Sequence, residues 1–133
     1  MPTVRSLDHL VLRVGDLDRS LAFYRGLLGL AVEGLEEHRR GARPFVSLRV
    51  GEALLDLVPD PAHDPATAAS GGLLHFCVTL ADLGEAIREL RAAGVAFLHD
   101  APVPRAGARG VAPSIYVRDP DGYVVELKQA TDA

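Results

Sequence analysis

Cysteine and the large aromatic residues are scarce in this chain. Its 133 residues include one cysteine, Cys77, and no tryptophan, and aromatic residues make up 5%. A single cysteine excludes an intrachain disulfide and is typical of a reducing compartment. Because Cys77 lies in an apolar run, we interpret it as a small core residue and not as a nucleophile. The low aromatic content argues against a cavity that sequesters a large, flat ligand.

The chain also lacks long apolar runs and a surplus of positive charge. No apolar run approaches the ~18 residues needed to span a bilayer, and the opening MPTVRSLDHL lacks the apolar core of a secretory signal. The formal net charge is −4, and the basic residues are scattered apart from Arg39, Arg40 and Arg43, which fit a solvated hairpin. These features predict a soluble, cytoplasmic protein that binds neither membranes nor nucleic acid.

What the sequence does contain is a repeated pattern. The segments LDHLVLR and LLHFCVT are both apolar and strand-like, and each has a histidine at its third position, His9 and His75. Each half also ends in an apolar segment with one acidic residue, Asp56 in ALLDLVP and Glu126 in YVVELKQ. The two histidines are 66 residues apart and the two acids 70, so the offset is nearly constant. This regularity predicts a duplicated unit that assembles one metal site from both halves.

Both halves show the order strand, helix and three strands, joined by a linker at 59–72 that is rich in proline, alanine and glycine. The first module, 5–58, is predicted to contain a strand at 7–14, a helix between Asp16 and Gly29, and strands at 30–37, 43–50 and 52–58. The second module, 73–129, is predicted to contain a strand at 73–80, a helix between Asp82 and Gly94, and strands at 95–100, 112–118 and 123–129. The prediction is one α+β domain over 1–133, built from two tandem βαβββ modules.

Side-chain alternation along the first strand of each module orients the histidines. Successive strand residues point to opposite faces, so His9 shares a face with Val11 and not with Leu10 or Leu12. The more apolar face is expected to pack on the helix, and His75 alternates in the same way. Both imidazoles are therefore predicted to point away from the helices, towards a concave surface formed by the sheets.

Two imidazoles and two carboxylates form a ligand set that suits Fe²⁺, Mn²⁺, Ni²⁺, Co²⁺ or Zn²⁺ and leaves positions for water and substrate. Such an ion acts as a Lewis acid and can bind two neighbouring substrate oxygens. Taken singly, each of the four residues fits a solvated polar side chain, and it is their repetition that favours a metal site. Asp56 has the shortest reach of the four. Glu126 is the candidate catalytic base, because its longer side chain can leave the metal and accept a proton.

Candidate substrate-binding residues lie in the second module. The segment 102–110 (PVPRAGARG) has too much glycine and proline for a regular strand, so it is either a mobile flap that carries Arg105 and Arg109 or an ordinary surface loop. Tyr116 precedes the turn DPDG. A three-residue loop with a glycine bulge would place Tyr116 opposite Glu126, whereas a two-residue loop would turn it towards the helix. Three further histidines do not recur across the modules and are expected to be solvated: His38, His63 and His99.

The opening LDHLVLRVGDLDRSLAFYRGLLGL, the segment LLHFCV and the closing YVRDPDGYVVEL resemble the vicinal oxygen chelate superfamily of glyoxalases, bleomycin resistance proteins and extradiol dioxygenases. The resemblance extends from about residue 5 to residue 129. It implies an eight-stranded, open-barrel-like pair of sheets around a central cavity, with the helices outside. It also implies one divalent metal ion bound by His9, Asp56, His75 and Glu126. Bacterial glyoxalase I looks similar but has glutamate where this chain has Asp56, and the last segment also resembles small, uncharacterised members described as dioxygenase-like or virulence-associated.

The resemblance implies a metal-dependent lyase, isomerase, transferase or dioxygenase that chelates a small, oxygen-rich substrate through two oxygens. Asp56 on the metal favours the first three classes. With Asp56 off the metal, His9, His75 and Glu126 match the two-histidine, one-carboxylate set of Fe²⁺ dioxygenases. The alternative is a non-catalytic drug- or metabolite-binding protein of the bleomycin resistance type.

A leucine cluster at the end of the first helix predicts a homodimer. Leu27, Leu28 and Leu30 present more apolar surface than one short helix needs against its own sheet. Members of the resembled family commonly pair modules within or between chains. We therefore expect an isologous two-fold contact, with metal ligands from one chain or from two.

Overall fold

A computed structural model describes residues 2–3, 5–68 and 71–131 of the chain. The chain divides into two compact units between His63 and Asp64. The described residues form two four-stranded mixed sheets, one in each unit, accompanied by short helices. The predicted α+β class is confirmed.

The first unit has a strand, a helix and then three strands that complete one sheet. Its elements are β1 (His9–Val14), α1 (Leu17–Leu21), a π-helical continuation of α1 (Ala22–Leu27), β2 (Ala31–Glu33), α2 (Leu35–Arg39), β3 (Val46–Val50) and β4 (Ala53–Pro59). The sheet order is β1-β4-β3-β2, in which only the β1–β4 pair is parallel. The predicted helix cap is confirmed, because the Asp16 carboxylate accepts a hydrogen bond from the Arg19 amide at 3.2 Å.

The strand predicted over 30–37 is much shorter than expected. It ends at Glu33, and Gly34 then turns the chain with a φ of 81°, which glycine adopts at little cost. The next residues, LEEHR, form α2 because they favour helix and because Arg39 pairs with Glu36 one turn earlier, at 3.0 Å. The short β2 leaves the outer edge of this sheet covered by only three residues.

The second unit repeats the connectivity of the first. Its elements are α3 (Pro65–Ala68), β5 (Phe76–Leu80), α4 (Leu83–Ala92), β6 (Val103–Gly107), β7 (Gly110–Arg118) and β8 (Val124–Gln129). The sheet order is β5-β8-β7-β6, and β5 and β8 form the parallel pair. The βαβββ order is therefore confirmed in both halves. The short α3 lies inside the segment that the sequence predicts as linker.

Two predictions in the second unit are wrong. The segment 95–100 is not a strand, although an isolated bridge joins Phe97 to Val117. The segment 102–110, predicted as a flap or loop, instead supplies β6 and the turn into β7. Proline has no amide hydrogen to donate to a neighbouring strand, so it is tolerated in an edge strand such as β6. Pro104 pairs with Pro113, and neither residue has an amide hydrogen that needs a partner.

Helix α4 covers one face of the second sheet. Its buried stripe is Leu83, Ile87 and Leu90, and Asp82 caps it by accepting a hydrogen bond from the Glu85 amide at 3.0 Å. The Leu83 amide donates to Gln129 Oε1 at 2.9 Å, which fixes the helix start to the end of β8. The opposite face of this sheet is free of helix α4 and carries the polar residues described next.

Candidate functional site

In the first unit, one face of the sheet carries both predicted metal ligands. The register pairs Val11 with Asp56, and His9 lies two residues before Val11, so His9 and Asp56 share a face. We call this the polar face of the first unit. Leu12 and Val14 point the other way and are 2% and 0% exposed, so the burial of β1 alternates as predicted.

The imidazole of His9 is held by the preceding residue. His9 Nδ1 donates to Asp8 Oδ2 at 2.7 Å. This hydrogen bond raises the pKa of His9 above its ordinary value, and the charge of Asp56 acts in the same direction. With Nδ1 engaged by a carboxylate, Nε2 is left available, which is the usual arrangement of a metal-binding histidine.

Asp56 is buried and held by a chain of polar side chains. Ser47 Oγ donates to Asp56 Oδ1 at 2.5 Å, and Arg43 Nη2 donates to Ser47 Oγ at 2.7 Å. The Arg43 guanidinium also stacks over the Phe45 ring, 4.2 Å from its centre. It lies so close to Gly34 that a Cβ there would be 1.8 Å from Arg43 Nη1. The carboxylate of Asp56 is therefore fixed in orientation.

Sequence reasoning missed Ser47 and Arg43. Ser47 lies directly opposite Asp56 in the β3–β4 register. This pairing depends on the geometry of the turn at Gly51, which the sequence alone does not give. Arg43 belongs to the arginine cluster that the sequence suggested was solvated, and in the structure its guanidinium instead contacts Ser47. The signal available beforehand was the small polar residue within the otherwise apolar run FVSLRV.

In the second unit, the matching histidine and acid are in contact. His75 immediately precedes β5, and its Nε2 lies 3.1 Å from Glu126 Oε1 on β8. Two atoms bound to one ion at ~2.1 Å and near 90° would be separated by about 3 Å. The His75–Glu126 contact therefore has the spacing of two neighbouring metal ligands.

The carboxylate of Glu126 is buried and polarised from several sides. Burial raises its pKa, but the Ser114 and Tyr116 hydroxyls, then the charges of Lys128 and His75, outweigh burial and lower it below the ordinary value. Neither Ser114 Oγ nor Glu126 Oε2 completes a hydrogen bond of normal geometry with a described residue. Lys128 Nζ lies 3.8 Å from Oε2. Glu126 is thus an ionised group whose buried Oε2 lies near Lys128 without a hydrogen bond of normal geometry.

Tyr116 lies beside this pair. It pairs with Glu126 in the β7–β8 register, and its ring meets that of His75 edge to face at 5.2 Å. Of the two alternatives drawn from the sequence, the placement opposite Glu126 is confirmed. The connecting loop is longer than either alternative assumed, because Arg118 pairs with Val124 and leaves the five residues 119–123 between them. Burial, followed by the Glu126 carboxylate, raises the pKa of Tyr116.

We call the face that carries Glu126 and Tyr116 the polar face of the second unit. Arg105 lies on it and acts to lower the Tyr116 pKa, whereas Arg109 lies in the turn between β6 and β7. Lys128, which sequence reasoning missed, is buried on the same face and donates to Arg105 O at 2.6 Å. Its alternation with Glu126 along β8 was the signal that could have identified it.

Two further residues near Tyr116 differ from their predicted roles. His99 is not solvated, because its Nε2 accepts a hydrogen bond from the Tyr116 amide at 3.1 Å and its ring packs against that of Tyr116. Cys77 is exposed and pairs with Glu126 in the β5–β8 register, so it is not a core residue. Partial desolvation and the Glu126 charge raise the pKa of Cys77 to about 11, which makes it a poor nucleophile at neutral pH.

Each unit provides a pair of candidate donors. Within the described part of each unit, no three His, Cys, Asp or Glu side chains lie close enough together to hold a metal ion. His9 and Asp56 are on one polar face and His75 and Glu126 on the other. The joining of both pairs in one site stays a prediction.

In the ranges that the structure describes, no helix is long and apolar enough to cross a membrane.

Comparisons with known proteins place these features in a family context. The family model of the Glyoxalase/Bleomycin resistance protein/Dioxygenase superfamily matches residues 6–127. Virulence protein STM3117 of Salmonella typhimurium is 31% identical over 92% of this chain and 83% of that protein. The lactoylglutathione lyase of Salmonella typhimurium is 31% identical over 96% of this chain and 94% of that enzyme. The solved structure of VPC_CASS1, from the mobile metagenome of V. Pseudocholerae, superimposes with a TM-score of 0.75 at 27% identity over 99% of both chains.

Proposed function

Because this chain belongs to the Glyoxalase/Bleomycin resistance protein/Dioxygenase superfamily, we propose that it is a divalent-metal-dependent enzyme. It acts on a small, oxygen-rich substrate that binds through two neighbouring oxygens. His9, Asp56, His75 and Glu126 hold one metal ion, with each unit contributing one histidine and one carboxylate. The observation that carries the proposal is the 3.1 Å contact between His75 Nε2 and Glu126 Oε1, beside an unengaged, buried carboxylate oxygen.

The donor atoms fit a divalent ion of the Fe, Mn, Ni, Co or Zn type. Imidazole nitrogen and carboxylate oxygen are common ligands of these metals. Asp8 on His9 and Ser47 on Asp56 are hydrogen-bonding partners of the kind that orient metal ligands. The ion would supply Lewis acidity to the two substrate oxygens. Four protein ligands, including Asp56, favour a lyase, isomerase or transferase.

The protein's own groups account for the proton transfer. Glu126 is ionised at neutral pH, so its carboxylate can accept a proton. The Tyr116 hydroxyl and the Lys128 ammonium lie close to this carboxylate and hold its charge in place. Arg105, next to Tyr116, and Arg109 in the β6–β7 turn supply positive charge for an oxygen-rich substrate.

The similarity to a lactoylglutathione lyase at 31% identity selects the first substrate for a direct test. Metal content is measured in protein purified without added metal. Turnover is then measured with methylglyoxal–glutathione hemithioacetal, with fosfomycin plus a thiol, and with catechols. We expect one of these to be turned over, with activity lost on chelation and restored by a divalent ion. Glu126→Gln should lower kcat by about 100-fold or more.

Two outcomes would change this assignment. Turnover of a catechol with Fe²⁺, unaffected by Asp56→Ala, would mean that the site is the two-histidine, one-carboxylate set of a dioxygenase. Saturable ligand binding with no turnover under any metal would mean that the protein sequesters its ligand as a resistance protein does. Mixing His9→Ala with His75→Ala protein tests the chain origin of the ligands, because activity returns only if one site uses both chains.

A further inference from the structure

The second unit contains a cavity with a consistently positive lining. The cavity has a volume of about 330 Å³ and lies where β5 and β8 end beside the β6–β7 turn. Its side-chain lining includes Arg109, Lys128, Thr79 and Thr131, and none of the described lining residues is acidic. We call it the terminal cavity. Its volume is at the lower end of the range in which proteins bind small molecules.

Arg109 is an uncommitted cation at the rim of the terminal cavity. It is exposed in the β6–β7 turn, and it makes no hydrogen bond or ion pair with a described residue. A guanidinium presents a planar set of donors that matches a carboxylate or a phosphate. An arginine that has no acidic partner among the described residues and lies at a cavity edge is suited to bind such a group.

Lys128 is a buried cation in the cavity wall. It is 6% exposed, and its Nζ donates to Arg105 O at 2.6 Å and to Ala112 O at 3.3 Å. The sheet leaves room for it, because a Cβ on Gly107 would be 2.8 Å from Lys128 Cε. The Lys128 ammonium also forms a long ion pair with Glu126, with 3.8 Å between Nζ and Oε2. An ammonium has three N–H donors, and the two carbonyl hydrogen bonds leave one for an anion in the cavity.

The terminal cavity lies next to Glu126 on the same polar face. Thr79 and Lys128 face each other in the β5–β8 register, and Lys128 is two residues beyond Glu126 along β8. Two residues of a strand span about 7 Å. A small molecule that binds the cavity through one group would therefore place its remaining atoms next to Glu126 and His75.

We infer that the terminal cavity binds an anionic group of the substrate, a carboxylate or a phosphate, through Arg109 and Lys128, with hydroxyl donors from Thr79 and Thr131. The identification of that ligand as substrate rests on the proposed function. The site adds a specificity element to it, since the enzyme would select oxygen-rich molecules that also carry a negatively charged group.

The test uses the full chain as purified, titrated at constant ionic strength with inorganic phosphate and separately with malonate. Binding is followed through the amide resonances of Thr79, Gly110 and Thr131. We expect saturable shifts at these positions with at least one probe, and the probe that binds more tightly identifies the group. Arg109→Gln should weaken binding about tenfold. Arg88→Gln removes the same charge from the exposed side of α4 and should leave the affinity unchanged.

Shifts that fail to saturate with both probes, or equal affinity in Arg109→Gln and the original protein, would overturn the inference. Lys128→Met should weaken binding more than Arg109→Gln. If Lys128→Met does not fold, the exposed Arg109 still decides the result. Metal binding is measured on the same samples. Anion binding without metal binding would leave the terminal cavity standing and remove the proposed function, and the reverse result would remove only the cavity assignment.

Discussion

At the scale of single residues, the two histidine–acid pairs occupy equivalent positions but have different surroundings. Asp56 is fixed through a hydrogen bond from Ser47, which is itself held by Arg43. Glu126 has one oxygen against His75 and the other unengaged. In a site made from both pairs, the first carboxylate would serve as a fixed ligand and the second as the group that exchanges a proton.

Removal of the hydroxyl that holds Asp56 should weaken metal binding. Ser47→Ala deletes the donor to Asp56 Oδ1, and loss of a partner of this kind lowers metal affinity about 10- to 100-fold. Affinity is measured by calorimetric titration with Zn²⁺ or Co²⁺. Ser20→Ala is the matched control, because Ser20 is equally buried but lies in α1. Equal metal affinity in the two variants would show that Ser47 does not position a ligand.

The lowered pKa of Glu126 should make its contribution to stability depend on pH. Because the folded pKa is below the ordinary 4.5, the ionised carboxylate stabilises the folded protein above about pH 4.5. That contribution is lost as the pH falls through the folded value. In the presence of a chelator, the difference in Tm between the original protein and Glu126→Gln should therefore be more favourable to the original at pH 7 than at pH 3.

The control for this pH dependence is Glu52→Gln, which changes an exposed residue in the β3–β4 turn. Its difference in Tm should vary little between pH 7 and pH 3. A Glu126 contribution that becomes more favourable towards pH 3 would mean that burial, and not the surrounding donors and charges, dominates this carboxylate.

At the scale of elements, the sequence predicted correctly those helices and strands whose signals are local, such as helix caps and side-chain alternation. Strand alternation in β1 and the caps at Asp16 and Asp82 identified elements whose signals lie within a few residues. The outer strands were mispredicted because pairing, not local pattern, defines them. Pro104 makes β6 look irregular until its pairing with Pro113 is known. The same reason explains the missed Ser47, whose role depends on register across the β3–β4 turn.

Gly34 is the element boundary with the clearest structural requirement. Gly34→Ala introduces a Cβ at a φ of 81° and displaces the Arg43 guanidinium. Gly41→Ala has nearly the same backbone cost, about 1 kcal/mol, because φ is 76° there, but its Cβ would meet nothing within 4 Å. Urea denaturation should show a larger loss for Gly34→Ala, and only that variant should weaken metal binding. Equal stability and equal metal affinity in both variants would show that Arg43 does not help to position Asp56.

At the scale of the whole molecule, the duplicated units explain why the chain carries two polar faces. Each unit has one helix-covered or core face and one face with a histidine and an acid. Neither pair alone provides enough ligands for a stable metal site, so a single site with four ligands requires that the two pairs meet. The meeting can occur within one chain or between the chains of a dimer.

A homodimer is expected in solution. Leu27, Leu28 and Leu30 remain only half-buried in the described unit, so apolar surface is available for a two-fold contact. Sedimentation at micromolar concentration should give about twice the 14.2 kDa chain mass, and Leu28→Glu should shift the protein towards monomer. A monomer that still binds metal would show that the leucine cluster is not an interface and that one chain suffices.

A single metal site made from both units predicts a defined stoichiometry of metal binding. Calorimetric titration with Zn²⁺ or Co²⁺ should give about one ion per chain. His9→Ala and His75→Ala should each abolish binding, because each removes a ligand of the same site, whereas His63→Ala should retain it. Two ions per chain in the original protein, with each of the first two variants losing only one of them, would instead mean that each unit holds its own ion and that no shared site exists.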